Sequence, residues 1–280
     1  MLTHHEFTWK SYDGINLFAQ EWKPQSKPIA AIALVHGLGE HSSRYNHVAE
    51  FFNKSNMGFV GFDLRGHGRS EGKRGHIPSD ESIWQDIKLL LKKTRAKYKG
   101  TPIFLYGHSM GGEFVLAYSI KKQPKISGVI ATSPGICPKD PVSFPKYLMA
   151  KIFNIIYPSI QMNNDLDRTG LSHDKEIVNK YNNDPLVHGL ISARLGLSII
   201  ENGKWILKNG SKLNLPLLLM VGEKERLVNI QAIKDLSKKV PNVDFKIWPG
   251  LYHELHNEPQ KEEVLNYMLK WINKQIKEKH

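Results

Sequence analysis

The sequence predicts an α/β protein built on a mostly parallel sheet, and three observations carry that expectation. Short continuous apolar runs recur at 29–35, 58–62, 103–106, 126–132 and 215–221, each suited in length to a strand buried on both faces of a parallel sheet. Segments of helical period lie between them, the alternation that builds one sheet with right-handed crossover helices. The third observation is the stretch Pro102 to Gly112, PIFLYGHSMGG, where an apolar run ends in Gly-x-Ser-x-Gly and a helix-like segment follows at once. At 280 residues the chain fits one large domain or two small ones. The expected organisation is a core of residues 1–134 and 201–280 interrupted by a mainly helical cap, 135–200.

Taken in order, Phe7 and Trp9 alternate with polar residues before Asp13-Gly14, and Ile15, Leu17 and Ala19 continue the alternation, which predicts a hairpin over 5–23. The run 29–35 ends in His36-Gly37-Leu38-Gly39-Glu40-His41, whose two glycines free the backbone to turn N–H groups towards a site. A helix is expected over 45–54, then a second buried strand that leads into the polar, glycine-rich connection 63–70. That connection lacks the spacing of a nucleotide-binding loop and is expected to brace the nucleophile turn. Ser82 with Gln85 three residues on resembles a capping box, and Ile83, Ile87, Leu90 and Leu91 recur at helical spacing behind it. Between Gly135 and about Ile200 the rhythm breaks. Apolar residues from Tyr147 to Met162 fall on nearly all sides of a helix, so this helix is expected to bury a second face, as an inserted cap lining an apolar pocket would. Alternation resumes with the run 215–221, a helix over 230–239, a strand over 244–248 and a final helix with Leu265, Met268, Leu269, Ile272 and Ile276 on one side.

Composition narrows the function classes. Apolar residues make up 40% of the chain, enough for a sizeable core. Lysine and arginine number 39 against 27 acidic residues, a formal charge of +12. The lysines are spread along amphipathic segments without interleaved aromatics, which argues a solvated face rather than a nucleic-acid surface. Weak attraction to a membrane surface is kept as a hypothesis. The single cysteine, Cys137, allows no intrachain disulfide and offers no zinc framework, and there is no HExxH pattern, so no metal or cofactor is expected. No segment approaches the ~18 apolar residues of a membrane span. The expectation is a soluble, cytoplasmic protein.

The chemistry gathers at Ser109. A serine at a sharp strand-to-helix turn is held with its hydroxyl exposed, and the backbone N–H of Met110 starts the helix, where negative charge is stabilised. A serine hydroxyl needs a base, and the base needs an orienting carboxylate. Of the later histidines, His173, His188, His253, His256 and His280, His253 is best placed, in a loop at the carboxyl edge of the sheet, with His256 as runner-up. The acid belongs in the loop after the preceding strand, Gly222-Glu223-Lys224-Glu225, where either glutamate fits the role.

Blocks along most of the chain resemble the monoglyceride lipase and lysophospholipase group of serine hydrolases in the α/β-hydrolase superfamily. They are HGLGEHSSRY at 36–45, FDLRGHGRSEGKRGH at 62–76, GHSMGG at 107–112, DPLVHG at 184–189 and YHELHNE at 252–258. The resemblance implies an α/β-hydrolase fold with a cap, Ser109 as nucleophile, His253 as base, and the amides of Leu38 and Met110 as oxyanion hole. It puts Glu225 where the group carries an aspartate, so that a carboxylate one methylene longer must reach the imidazole by a shifted backbone or rotamer. Glu40, Arg44, His108 and His256 match positions that resemble the group's contacts to a glycerol head, with bracing of the oxyanion loop as a second role open to Arg44. The activity implied is a serine carboxylesterase acting on monoacylglycerols. A lysophospholipid or a general short-to-medium-chain carboxylic ester is the alternative substrate, and a ligand-binding relative with weak catalysis the alternative class.

Overall fold

The computed structural model describes residues 3–140 and 142–278; His280, one of the histidines considered above, lies outside them. Eight strands form the main sheet: β1 (Thr3–Lys10), β2 (Asn16–Lys23), β3 (Ala30–Val35), β4 (Met57–Phe62), β5 (Ile103–His108), β6 (Gly128–Thr132), β9 (Leu217–Gly222) and β10 (Val243–Trp248). Their spatial order is β1-β2-β4-β3-β5-β6-β9-β10. From β4 to β10 every neighbouring pair is parallel, whereas β1 and β2 form an antiparallel hairpin that joins the edge at β4.

The central strands read as unbroken apolar runs because both their faces are covered. In β3, Ala31, Ala33 and Val35 point to one face, together with Leu105, Val129 and Leu219, and there they meet Ile83 and Ile87 of α2 (Asp80–Lys97) and Phe114 and Val115 of α3 (Met110–Lys122). Ile32 and Leu34 point the other way, with Phe104, Tyr106 and Ile130, against Phe52 of α1 (Asn46–Lys54) and Met268, Trp271 and Ile272 of α8 (Lys261–Lys277). The period-two side-chain alternation of a strand thus fills two cores from one run of sequence.

Helix α2 departs from the expected cap. Ser79 is its N-cap, with extended backbone and a side chain that accepts from Ser82 N–H; Ser82 itself lies inside the helix, and Gln85 bonds Glu81 instead. Both serines suit a cap by type, but Ser79 stands before two acidic residues that complement the positive helix end.

Between β6 and β9 lie α4 (Phe144–Ile156), β7 (Gln161–Asn163), α5 (Lys175–Asn183), β8 (Leu190–Ser192) and α6 (Ala193–Asn209). The boundary expected at residue 200 falls within α6, whose Leu195 and Ile206 join the core on the α2–α3 face, as do Ile233 and Leu236 of α7 (Ile230–Ser237). Helix α4 overturns the expectation of a second buried face: none of its residues is buried, and Phe144, Leu148, Met149, Ile152, Ile155 and Ile156 are exposed. Much of its apolar circumference is left open to its surroundings.

Candidate active site

Ser109 sits at the junction of β5 and α3 with φ +53 and ψ −120, in the left-handed half of backbone space that non-glycine residues rarely enter. The neighbouring glycines make this turn feasible. A side chain on Gly111 would run into the carbonyls of Val35 and His36, and one on Gly107 into the carbonyl of Gly111. The end of β6 and the loop after it pin the elbow from the far side, where Ser109 N–H donates to Thr132 O at 3.0 Å and Gly135 N–H to Ser109 O at 2.9 Å.

His253 lies in the loop between β10 and α8, fully enclosed, and its Nδ1 bonds Glu225 Oε2 at 2.8 Å. Glu225 lies in the loop after β9. Its extra methylene is accommodated by folding the side chain back over its own loop. Oε1 accepts from the N–H groups of Arg226 at 2.8 Å, Leu227 at 2.7 Å and Val228 at 3.4 Å, leaving Oε2 for the imidazole. Burial alone would raise the Glu225 carboxyl, but the His253 charge and hydrogen bond and the backbone N–H groups outweigh it and hold it low. Burial pulls His253 down, yet Glu225 outweighs that and leaves its pKa raised. Glu223, the other carboxylate of this loop, accepts from Gly250 N–H at 2.9 Å on the exposed side.

The loop 36–41 faces the elbow. His36 is buried and neutral: Leu64 N–H donates to its Nε2 at 2.9 Å, so the proton is on Nδ1, which donates to Gly37 O, and burial pulls the pKa down to about 3. Leu64, and Asp63 through Ser42 N–H at 2.8 Å, tie the 63–70 connection to this loop, so it braces residues 36–42, where the nucleophile turn had been expected. Glu40 is used up internally, with Oε1 accepting from Gly37 N–H at 2.6 Å and Tyr45 OH at 2.8 Å, and Oε2 from Arg44. Arg44 in turn reaches Glu254 with two parallel bonds of 2.7 Å, the paired geometry a guanidinium makes with a carboxylate. Burial would raise Glu254, but Arg44 holds it at about 2, while burial and the nearby Glu254 push Glu40 up against the opposing pull of Arg44.

His108 lies with its ring centroid 4.8 Å from that of His253 and 4.9 Å from that of His256, and its Nδ1 is 3.1 Å from Thr132 Oγ1. Burial, with His253 adding to it, lowers its pKa to about 3. His256 stacks on Tyr45 at 4.6 Å, and both its ring nitrogens are buried without a partner among the described residues.

Seven of these groups, Gly37, Leu38, Glu40, His108, Ser109, His253 and Glu254, line one cavity of about 20 Å³, roofed by Leu166, Leu171 and Tyr181. That is room for about one water molecule, and Ser109 itself stays partly exposed. The structure therefore brings Ser109, His253, Leu38, Glu40 and His108 to one cavity, with Glu225 directly behind the imidazole, and sets Arg44 and His256 in the layer outside. Glu254 was missed in the sequence although it adjoins His253; its signal was the first acid of YHELHNE, three residues before an asparagine that also bonds it, Asn257, at 2.7 Å.

A carboxylate on one nitrogen of an imidazole, with that imidazole lining a cavity shared with a strained serine, is an arrangement fit for general-base activation of that serine. Comparison with known proteins agrees in kind. The family model for serine aminopeptidase, S33, matches residues 26–260. A monoacylglycerol lipase of Mycolicibacterium smegmatis is 33% identical over 273 residues, covering 96% of this chain and 97% of that protein. An uncharacterized abhydrolase domain-containing protein of Dictyostelium discoideum is 38% identical over 94% of this chain, which spans 28% of that protein's length. Among solved structures, a monoacylglycerol lipase of Paleococcus ferrophilus superposes with a TM-score of 0.83 at 31% identity, over 98% of this chain and 99% of that one. The architecture is the α/β-hydrolase fold.

Proposed function

Since the chain belongs to the serine aminopeptidase S33 family of α/β-hydrolases and is a serine hydrolase of the monoglyceride lipase and lysophospholipase group, we propose that it cleaves monoacylglycerols through an acyl-enzyme on Ser109. The observation that carries this reading is the Glu225–His253 pair opening onto the cavity of Ser109. In the proposed cycle His253 takes the hydroxyl proton as Ser109 attacks the ester carbonyl. The N–H groups of Leu38 and Met110 receive the developing oxyanion, and the imidazolium returns its proton to the departing alcohol. A water activated by the same histidine then releases the fatty acid. Glu225 keeps the imidazole in the tautomer and orientation the cycle needs and favours its protonated form.

The head-group preference rests on charge. A phosphate head requires an uncommitted cation, and the arginine at this site is already clamped between Glu40 and Glu254. An uncharged polyol, whose hydroxyls both donate and accept, needs no such cation. We read Glu40 and Arg44 as the brace of this pocket, with His108 in its polar lining and His256 packed behind that ring.

Residues 135–200 act in this reading as a cap. Its lining over Ser109 must shift to take an acyl chain, because a cavity of about 20 Å³ holds none. Helix α4, apolar on its open sides and carrying Lys146 and Lys151 without an acidic residue, suits contact with a lipid surface from which the substrate is drawn. No helix among the described residues is long and apolar enough to cross a membrane.

Labelling with a fluorophosphonate tests the nucleophile. The wild-type chain takes up one label and Ser109→Ala takes up none; folded wild-type protein that stays unlabelled would rule out the acyl-enzyme.

A further inference from the structure

The loop that carries Leu38 is held from two sides, and one of them is the cap. On the core side, Glu40 and His36 fix Gly37. On the cap side, His188 N–H donates to Gly39 O at 2.9 Å, and His41 Nε2 meets Asp184 Oδ2 at 2.9 Å. These two ties fall one and three residues after Leu38. The approach at Gly39 is close: its φ is +75, and a side chain there would run into the carbonyl of His188.

The cap stretch is itself anchored to the core beyond the loop. Leu190 N–H donates to His188 Nδ1 at 3.3 Å, which leaves the proton on Nε2 for Gly66 O at 3.1 Å. The His188 ring packs 4.8 Å from that of His67, and Ser192 N–H donates to Gly75 O at 2.8 Å. Asp184 also closes its own turn, accepting from Leu186 N–H at 2.8 Å. Helix α4 is held less firmly: it buries no residue, and the bond that Tyr147 OH donates to Glu201 of α6 lies at the surface.

We propose that cap segment 184–189 is a latch that positions the Leu38 N–H, with Asp184 acting through His41 as its positioning residue. The cap is then two parts with different duties. Segment 184–192 stays on the core through the catalytic cycle as a wall of the oxyanion loop, and α4, which buries no residue, is the part left to move. This inference rests on the reading of Leu38 as an oxyanion donor. A donor shifted by about 1 Å loses much of its worth, because removal of one such donor lowers kcat by roughly 10²–10³-fold.

The test uses p-nitrophenyl butyrate, a small activated ester, and an alkyl trifluoromethyl ketone as a probe of oxyanion binding. Asp184→Ala and His41→Ala should each lower kcat at least about tenfold, weaken the ketone by a similar factor, and change KM less than about threefold. The double variant should be no worse than the poorer single, since both substitutions break one tie. Asp184→Asn keeps its one oxygen for Leu186 N–H and turns its NH2 to His41 Nε2, which accepts in the other tautomer, and should restore most of kcat. Circular dichroism at the assay temperature identifies any variant that fails to fold, in which case Asp184→Asn against Gly39→Ala replaces it, Gly39→Ala showing the loss. Unchanged kcat and ketone affinity in the folded variants, or losses that multiply in the double variant, would overturn the latch. A wild-type protein inactive on the ester would instead overturn the hydrolase reading on which it stands.

Discussion

Glu225 meets the imidazole because three backbone N–H groups hold its other oxygen. Shortening the side chain to that of aspartate would pull one oxygen from the imidazole or the other from the loop. Glu225→Asp should therefore lower kcat roughly tenfold or more, and Glu225→Gln by about 10³-fold, whereas Glu223→Ala should stay near the wild type. Because Glu225 is what raises His253, kcat/KM of the wild type should rise with pH through an apparent pKa above the ordinary 6.5, and any residual activity of Glu225→Gln should titrate lower. A wild-type profile flat from pH 5 to 8 would contradict the pair. Glu113 supplies a separate test. It is wholly buried at the start of α3, and both its oxygens lack a partner among the described residues. Burial, with Asp80 adding and Lys121 opposing, pushes its carboxyl well above the usual range. Such a group is neutral when folded, so stability is fullest below the unfolded-state pKa of about 4.3 and is lost as pH rises towards the folded value. Glu113→Met should flatten that decline and raise Tm at pH 8; an unchanged slope of Tm against pH would show that Glu113 bears no such penalty. At this scale Ser109 and His253 were legible in the sequence, because a serine elbow is a local motif and chain order selects the histidine. Loop position alone left Glu223 and Glu225 open, and the resemblance pointed to Glu225; the choice turns on which side chain folds back across its own loop. Glu254 escaped because its partner, Arg44, is 210 residues away.

Among the elements, the strands were readable because burial on both faces leaves a continuous apolar run, and β3 and β5 fill two cores with alternate residues. The start of α2 was misread by three residues because Ser79 and Ser82 satisfy the same local rule, and only the extended backbone at Ser79 separates them. Helix α4 is the instructive miss. An all-round apolar pattern says that a helix shuns water but not what covers it, and nothing among the described residues covers its outer sides. If a lipid surface does so, Ile155→Ser with Ile156→Ser should reduce cosedimentation with anionic vesicles several-fold and raise KM for vesicle-borne substrate. Hydrolysis of a soluble short-chain ester should be unaffected, since neither residue lines the cavity. Vesicle binding equal to that of the wild type would remove α4 from this role.

For the molecule as a whole, one sheet presents the β5–α3 elbow, the loop after β3, the loop after β9 and the loop after β10 at its carboxyl edge, where open α/β sheets hold their sites. Leu166, Leu171 and Tyr181, from the stretch between β6 and β9, help to narrow the cavity there to about 20 Å³, and this narrowness was invisible in the sequence because it depends on how those side chains settle. The excess of basic residues does not make the site cationic: next to Ser109 the arginine is matched by two glutamates. The central claim is that this site takes an acyl ester of an uncharged polyol. Its most direct test is fatty-acid release from monoacylglycerols of graded chain length beside lysophosphatidylcholine, with Ser109→Ala as control. The account predicts serine-dependent release from the glycerol esters, at a kcat/KM at least about tenfold above that for the phospholipid. Equal or faster hydrolysis of lysophosphatidylcholine would contradict it.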